Sequence, residues 1–326
     1  INVYYNGTID DWAQIEFEDS YANPLHGDFY IDNKLVTEAV FINTTKINAY
    51  AFQFCGSLTS VVISDGVQTI GKCSFRDCES LTSVIIGDSV QTIDDYAFDG
   101  CTNLKELNIG LGIRSIYFSA FSSCSNLIDV YYNGTMDDWV EIEFELGDAN
   151  PLKHAKNLYI DGELVTEVIL TTATKIGDLA FVNYLHLTKV VVGNSVINIG
   201  QCAFYGCKNL ASIEIGDNVK TIGDNAFQYC YNLTSLSFPN AVEEIGACAF
   251  SNCIALSNVV LSDNITTIGG SAFGGCVALT EIIIPKSVTK IWNYAFYECW
   301  YITTIKLPDN LTSISKSAFS NCKKLT

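Results

Sequence analysis

The sequence predicts an α/β solenoid, a curved right-handed coil whose parallel strands line its concave face. Three observations carry this. Phenylalanine recurs every 23 residues at Phe52, Phe75, Phe98 and Phe121, and again from Phe181 through Phe204, Phe227, Phe250, Phe273 and Phe296 to Phe319. A period held that strictly marks a stacked array in which each unit contacts only its neighbours. Each unit opens with the spacing L-x-x-L-x-L, as in Leu81, Val84 and Ile86, which a strand satisfies by pointing the last two to one side. Turn formers follow at positions 7 and 8, as in Gly87-Asp88, Gly216-Asp217, Pro285-Lys286 and Pro308-Asp309.

Counting Leu81 as position 1, the remaining apolar positions of the unit are Val90, Ile93, the pair Ala97-Phe98, and Cys101. The V-x-x-I run predicts a second short extended piece. The Ala-Phe-x-x-Cys segment predicts a helical or 3₁₀ turn that closes the coil. Strand stacking turns positions 4 and 6 into buried ladders.

Two stretches depart from the period and match each other. VYYNGTIDDWAQIEF (3–17) returns as VYYNGTMDDWVEIEF (130–144), and FYIDNKLVTE (29–38) returns as LYIDGELVTE (158–167). Thr8-x-x-Asp11 and Thr135-x-x-Asp138 are capping boxes that open a short helix carrying Trp12 or Trp139 on its buried side. Asn23-Pro24 and Asn150-Pro151 end the loops that follow, and Asp32-Asn33 and Asp161-Gly162 predict tight hairpin turns. The chain is therefore expected to be a single solenoid over 1–326. Variant coils with a helix and a hairpin lie at about 3–38 and 130–167, inserted without breaking the stack, and regular repeats at about 39–129 and 164–326.

Hydrophobic residues are 48% of the chain and charged residues 17%, enough for a continuous core and unlike a disordered segment. A net charge of −18 with only 18 Lys and Arg argues against nucleic acid, whose phosphates need clustered cations. No apolar run is long enough to cross a membrane as a helix. The chain begins at Ile1 within a repeat and stops at Leu325-Thr326 where another is due, so a longer protein with its export signal and anchor elsewhere is expected.

The unit resembles the 23-residue leucine-rich repeat of BspA-like, or Treponema-type, bacterial surface proteins, L-T-x-[VI]-x-I-[PG]-x-x-V-x-x-I-G-x-x-A-F-x-x-C. Leu279 to Cys299 (LTEIIIPKSVTKIWNYAFYEC) is an example. Ser74, Tyr184 and Trp292 are local departures. The resemblance implies a leucine-rich-repeat solenoid and a secreted or cell-surface, non-enzymatic protein that binds other macromolecules as an adhesin, with no cofactor.

The chain has 13 cysteines, most at position 21 (Cys55, Cys78, Cys101 and their equivalents), with Cys73, Cys202 and Cys248 five residues earlier. A side chain fixed by the repeat serves packing, so buried free thiols are expected. No C-x-x-C occurs, and His26, His154 and His186 have no partner in register, which leaves neither a zinc site nor a catalytic triad. The position-8 ladder of Asp65, Asp88, Asp217, Asp263 and Asp309 offers calcium a row of carboxylates, although such an Asp more often bonds its own turn.

Strand positions 3 and 5 point away from the core and are free to vary. From them Asp129, Tyr131, Lys189, Val191, Glu214, Ile283 and Lys306 are the candidate binding residues. A protein partner, host or matrix proteins included, is the leading expectation. A glycan is the first alternative, with Trp292, Tyr294, Tyr297, Trp300 and Tyr301 as its candidate platform or as packing against the next coil. A passive spacer is the second.

Overall fold

The computed structural model describes residues 2–145 and 148–325, in two compact units, Ile1–Leu164 and Val165–Thr326. In the N-terminal unit each repeat contributes a four-residue strand to one parallel sheet. Its members are Glu38–Phe41, Ser60–Ile63, Ser83–Ile86, Glu106–Ile109, Asp129–Tyr132 and Asn157–Ile160, with Glu163–Leu164 added antiparallel at the edge. The register aligns position 4 throughout, so Ala39, Val61, Val84, Leu107, Val130 and Leu158 form one buried column. Position 6 forms the next, and positions 3 and 5 face out. The V-x-x-I runs form a second parallel sheet of two-residue strands, Lys46–Ile47, Thr69–Ile70, Thr92–Ile93, Ser115–Ile116 and Glu143–Phe144.

The closing segment is not the helical or 3₁₀ turn expected. Each coil places two residues in the left-handed region, such as Tyr96 (φ 57°) and Gly100 (φ 76°), or Cys73 (φ 52°) and Asp77 (φ 57°). Left-handed residues at these places aim alternate amides along the stack. Tyr96, Phe98 and Gly100 donate to the carbonyls of Phe118, Ala120 and Ser122 in the next coil, at 2.8 to 3.0 Å. The alternate amides, of Ala97, Asp99 and Cys101, close local turns onto Asp94, Tyr96 and Phe98. A helix would have spent every amide inside its own coil; this arrangement makes the turns a third hydrogen-bonded wall.

Inside the wall the phenylalanines stack. Ring centroids from Phe52 to Phe121 lie 5.2 to 5.5 Å apart with planes within 3 to 7°. In the C-terminal unit, from Phe181 to Phe319, the range is 5.0 to 5.6 Å.

Both variant coils fold as their motifs require. Asp11 N–H donates to Thr8 Oγ1 at 3.1 Å and Thr8 N–H to Asp11 Oδ2 at 2.9 Å, capping α1 (Ile9–Ala13). The equivalent bonds of Thr135 and Asp138 cap α2 (Met136–Glu141). Trp12 is buried and its indole donates to Ala51 O, while Trp139 is fully buried. The glycine of N-G-T is required because the chain folds over the preceding tyrosine: a Cβ on Gly134 would lie 2.6 Å from the Tyr132 ring. Asp32 and Asn33, and Asp161 and Gly162, take positive φ in hairpins that pair Tyr30 with Leu35 and Tyr159 with Leu164.

The first variant coil interrupts the strand ladder, because Val3–Tyr5, Phe29–Ile31 and Lys34–Leu35 form their own sheet and the large one restarts at Glu38–Phe41. The antiparallel return strand occupies the edge that the next coil would have paired with. Packing is carried past it by the helix, through Trp12 and through Asn48 N–H on Ala13 O.

In the C-terminal unit the outer-facing strands are shorter and their sheet is split. Glu167–Ile169, Lys189–Val191 and Ser212–Glu214 are paired; so are Ser235–Ser237 with Asn258–Val260, and Glu281–Ile283 with Thr304–Lys306. The second sheet crosses the first gap and stops at the second, between Thr267–Ile268 and Lys290–Ile291. Both gaps fall where the later strand is followed by proline at position 7, Pro239 or Pro285. Proline lacks the donor that Gly87 directs to Ile63 O at 2.7 Å. Pro308 leaves its pair intact, so proline accompanies the gaps without sufficing for them.

Candidate functional site

The repeat's conspicuous residues are consumed by the core. Phe98 and Cys101 are fully buried, and the position-21 thiols from Cys78 onward donate to the phenylalanine carbonyl of the preceding coil: Cys101 Sγ to Phe75 O at 3.2 Å, Cys124 Sγ to Phe98 O at 3.3 Å, whereas Cys55 Sγ lies 3.7 Å from Ser57 Oγ. This gives cysteine a role beyond size, since its weak donor satisfies a carbonyl that alanine would leave without that second bond. All 13 cysteines are free. Burial pushes the thiols of the column up, well above their ordinary range for Cys78, Cys101 and Cys230, which holds them protonated and unreactive. Cys73, Cys202 and Cys248 are not in that column: they occupy a left-handed turn position, where Cys202 and Cys248 are half-buried.

Two of the position-8 carboxylates, Asp65 and Asp88, have a structural task, though not the one expected. Asp65 Oδ1 accepts the amide of Asp88 at 2.8 Å and Asp88 Oδ1 that of Leu111 at 3.1 Å, each one coil further on rather than in its own turn. Coil spacing is short enough for a two-atom side chain to reach the next backbone. Among the described residues no group of three His, Cys, Asp or Glu converges to hold a metal. The histidines are separate: His26 lies against Phe54, His154 Nε2 is 3.0 Å from Asp148, and His186 lies beside Tyr184.

What remains is the solvent-facing side of the strands. The structure sorts the seven candidates into three groups. Asp129 and Tyr131 sit together in the N-terminal unit; Asp129 accepts from Asn157 Nδ2 at 2.7 Å, and the Tyr131 ring stacks on Tyr159 at 4.8 Å and 14°. Desolvation, then the charges of Asp129 and Glu106, raise the Tyr131 phenol above its usual range. Lys189, Val191 and Glu214 form the second group, with Lys189 Nζ 3.5 Å from Glu214. Ile283 and Lys306 form the third, lining an open cleft with Asp263, Pro285 and Leu307.

Three residues beside Tyr131 escaped sequence reasoning: Tyr159, Asn157 and Leu164. A step of 23 from Tyr131 points to residue 154, whereas the insert moves its true neighbour to 159. The signal was present in the repeated Y-I-D of FYIDNKL and LYIDGEL.

The C-terminal aromatics do not form an open platform. Lys290 Nζ lies 3.6 Å from the Trp292 ring centroid and Lys323 Nζ 4.0 Å from that of Trp300, so a cation already occupies a face of each indole. Tyr294 and Tyr297 meet edge to face.

The model of the BspA type leucine-rich repeat region matches residues 45–145, 174–299 and 220–326. The chain belongs to that family. A Treponema pallidum leucine-rich repeat protein of known structure is 31% identical over 49% of this chain and 78% of its own, with a TM-score of 0.48. A leucine-rich repeat protein from Bacteroides ovatus is 22% identical, covering 89% of this chain and 85% of its own, with a TM-score of 0.55. A leucine-rich cell surface protein from Faecalibacterium prausnitzii is 26% identical, covering 89% and 86%, at a TM-score of 0.50. No curated protein matches the chain. The BspA-type repeat accounts for the Phe stack, the thiol column and the strand ladders alike.

Proposed function

We propose that this BspA-type chain is a non-enzymatic binding scaffold, secreted or displayed at the cell surface, whose outward strand residues engage a protein partner. The observation that carries the proposal is a division of labour. Every side chain the repeat fixes is spent on stacking, while positions 3 and 5 vary and face solvent on a rigid, hydrogen-bonded sheet. A rigid surface loses little ordering entropy on binding, which suits recognition. The family match and the cell-surface relative support the location. Among the described residues no helix is long and apolar enough to cross a membrane. The lysines over Trp292 and Trp300 weigh against the glycan alternative, because a sugar stacking there would first displace a cation.

The test is a binding screen of the chain against host matrix proteins and against a glycan array. Protein hits abolished by charge reversal at strand positions 3 and 5 are the expected result. Glycan hits that survive those changes, or no hit in either class, would replace the proposal with the carbohydrate-binding or the spacer alternative.

A further inference from the structure

The geometry points to a docking stripe for a basic amphipathic segment of a protein partner, formed by the position-5 row across the seven-stranded sheet of the N-terminal unit. The inference rests on the binding-scaffold proposal and goes further by naming the surface and the chemistry of its occupant. The row reads Val40, Val62, Ile85, Asn108, Tyr131, Tyr159 and finally Leu164, each in register with the next. It is apolar except for one amide, Ile85 is 46% exposed, and the tyrosines stand stacked upon each other. One exposed and five half-buried apolar side chains aligned across a whole sheet differ from the scattered ones that any soluble protein carries.

Charge selects the occupant. The neighbouring position-3 row carries Glu38, Glu106 and Asp129 among Ser60, Ser83 and Asn157, and neither row of these parallel strands contains a lysine or arginine. A partner with an apolar stripe edged by Lys or Arg is therefore complementary, and an acidic one is repelled. Six intervals of about 4.8 Å make the stripe about 29 Å long. That is about nineteen residues of helix at 1.5 Å each.

An independent observation comes from the duplicated variant unit. The first copy displays the same solvent-facing set, with Tyr4 60% exposed and stacked on Tyr30 at 4.7 Å and 19°, and Leu35 paired with Tyr30. The hairpin charge differs between the copies, Lys34 in one and Glu163 in the other. The position-3 pair flanking the tyrosines is Asn2 with Asp28 in one and Asp129 with Asn157 in the other, one amide and one carboxylate each time with the order exchanged. Divergence has altered the exposed hairpin yet kept the Leu-Tyr-Tyr stripe and its rim. Cross-strand tyrosine pairs also stabilise a sheet, by about 0.2 to 1 kcal/mol each, so the test must separate support from docking.

The test titrates the full 326-residue chain with three synthetic peptides: a twenty-residue Leu/Lys amphipathic helix, a scrambled peptide of the same composition, and the same pattern with Glu for Lys. Tighter binding of the patterned Leu/Lys peptide than of either control is expected. Ile85→Ser with Tyr131→Ser should weaken it about ten-fold. Asp129→Asn with Glu106→Gln should weaken it several-fold and flatten its salt dependence. Leu185→Ser with Ile254→Ser, exposed apolar residues of the other unit outside strand positions 3 and 5, should leave it unchanged, and circular dichroism should show every variant folded. Equal binding of the scrambled peptide, or sensitivity to the Leu185/Ile254 pair rather than to Ile85/Tyr131, overturns the stripe. Either result leaves the wider proposal to its own screen, in which position-3 and position-5 changes elsewhere on the sheets would still abolish a protein hit.

Discussion

The two units are built from one repeat and share its core, yet their outer faces differ. In the N-terminal unit, beside the three-stranded sheet of the first variant coil, the outward strands form one ladder of seven whose position-5 row is apolar except at Asn108. In the C-terminal unit the equivalent row runs Ile169, Val191, Glu214, Ser237, Val260, Ile283 and Lys306, broken in chemistry, and the sheet beneath it is broken into groups of three, two and two strands. The Phe stack and the turn wall continue through both gaps, as the bonds of Phe227 to Ala249 and Phe273 to Ala295 show. Coil stacking is thus set by the core and the turns, and the outward ladder can open without losing it. The proposed recognition surface and the stacking core are thus different walls of one coil.

The largest effect expected is one the units should share. Burial raises the thiols of Cys55, Cys78, Cys101 and Cys124 in one unit and of Cys207, Cys230, Cys253, Cys276 and Cys299 in the other. Folded, they stay protonated where the unfolded chain ionises, so the unfolded state binds fewer protons above the ordinary thiol pKa. Their contribution is fully present below about pH 8.5 and falls as pH rises beyond it, by about 1.4 kcal/mol per thiol per pH unit. Denaturant unfolding followed from pH 7 to 10 should show this steep loss, and Cys101→Ala should make the slope shallower. A flat profile would mean the column is not as dry as its packing indicates.

Next in size, Phe98→Ala and Phe250→Ala should each cost about 3 to 5 kcal/mol, as buried aromatic truncations do. Their reach should differ. Amide exchange should rise along the whole seven-stranded sheet for Phe98→Ala. For Phe250→Ala it should stop at the gap between Asn258–Val260 and Glu281–Ile283, where both strand ladders end. Equal spread across that gap would remove the distinction between the units.

The smallest effect sharpens the cause of the gap. Pro285→Gly restores an amide at position 7 and should slow exchange at Leu261 and Thr280, the flanking residues on its two sides. Global stability should change by less than about 1 kcal/mol, because glycine also loosens the unfolded chain. Unchanged protection would assign the gap to the packing of Val259 and Ile282 rather than to the missing donor.

The period, the buried columns at positions 4 and 6, the capping boxes of Thr8 and Thr135 and the hairpins at Asp32-Asn33 and Asp161-Gly162 were legible from residues alone. Each depends on local spacing, which a sequence states directly. The sequence likewise separated Phe98 and Cys101, which specify stacking, from the quiet outward positions. Only the tertiary structure decided where amides and rings find partners one coil away. It turned the expected helical turn into a wall of inter-coil bonds, handed the Asp65 carboxylate to Asp88 of the next coil, and covered Trp300 with Lys323. It also placed Tyr159 on Tyr131, a contact the 23-residue step conceals because the variant insert shifts the register. The physical reason is common to all four: in a stacked array the deciding neighbour is a full coil distant along the chain but about one strand spacing away in space.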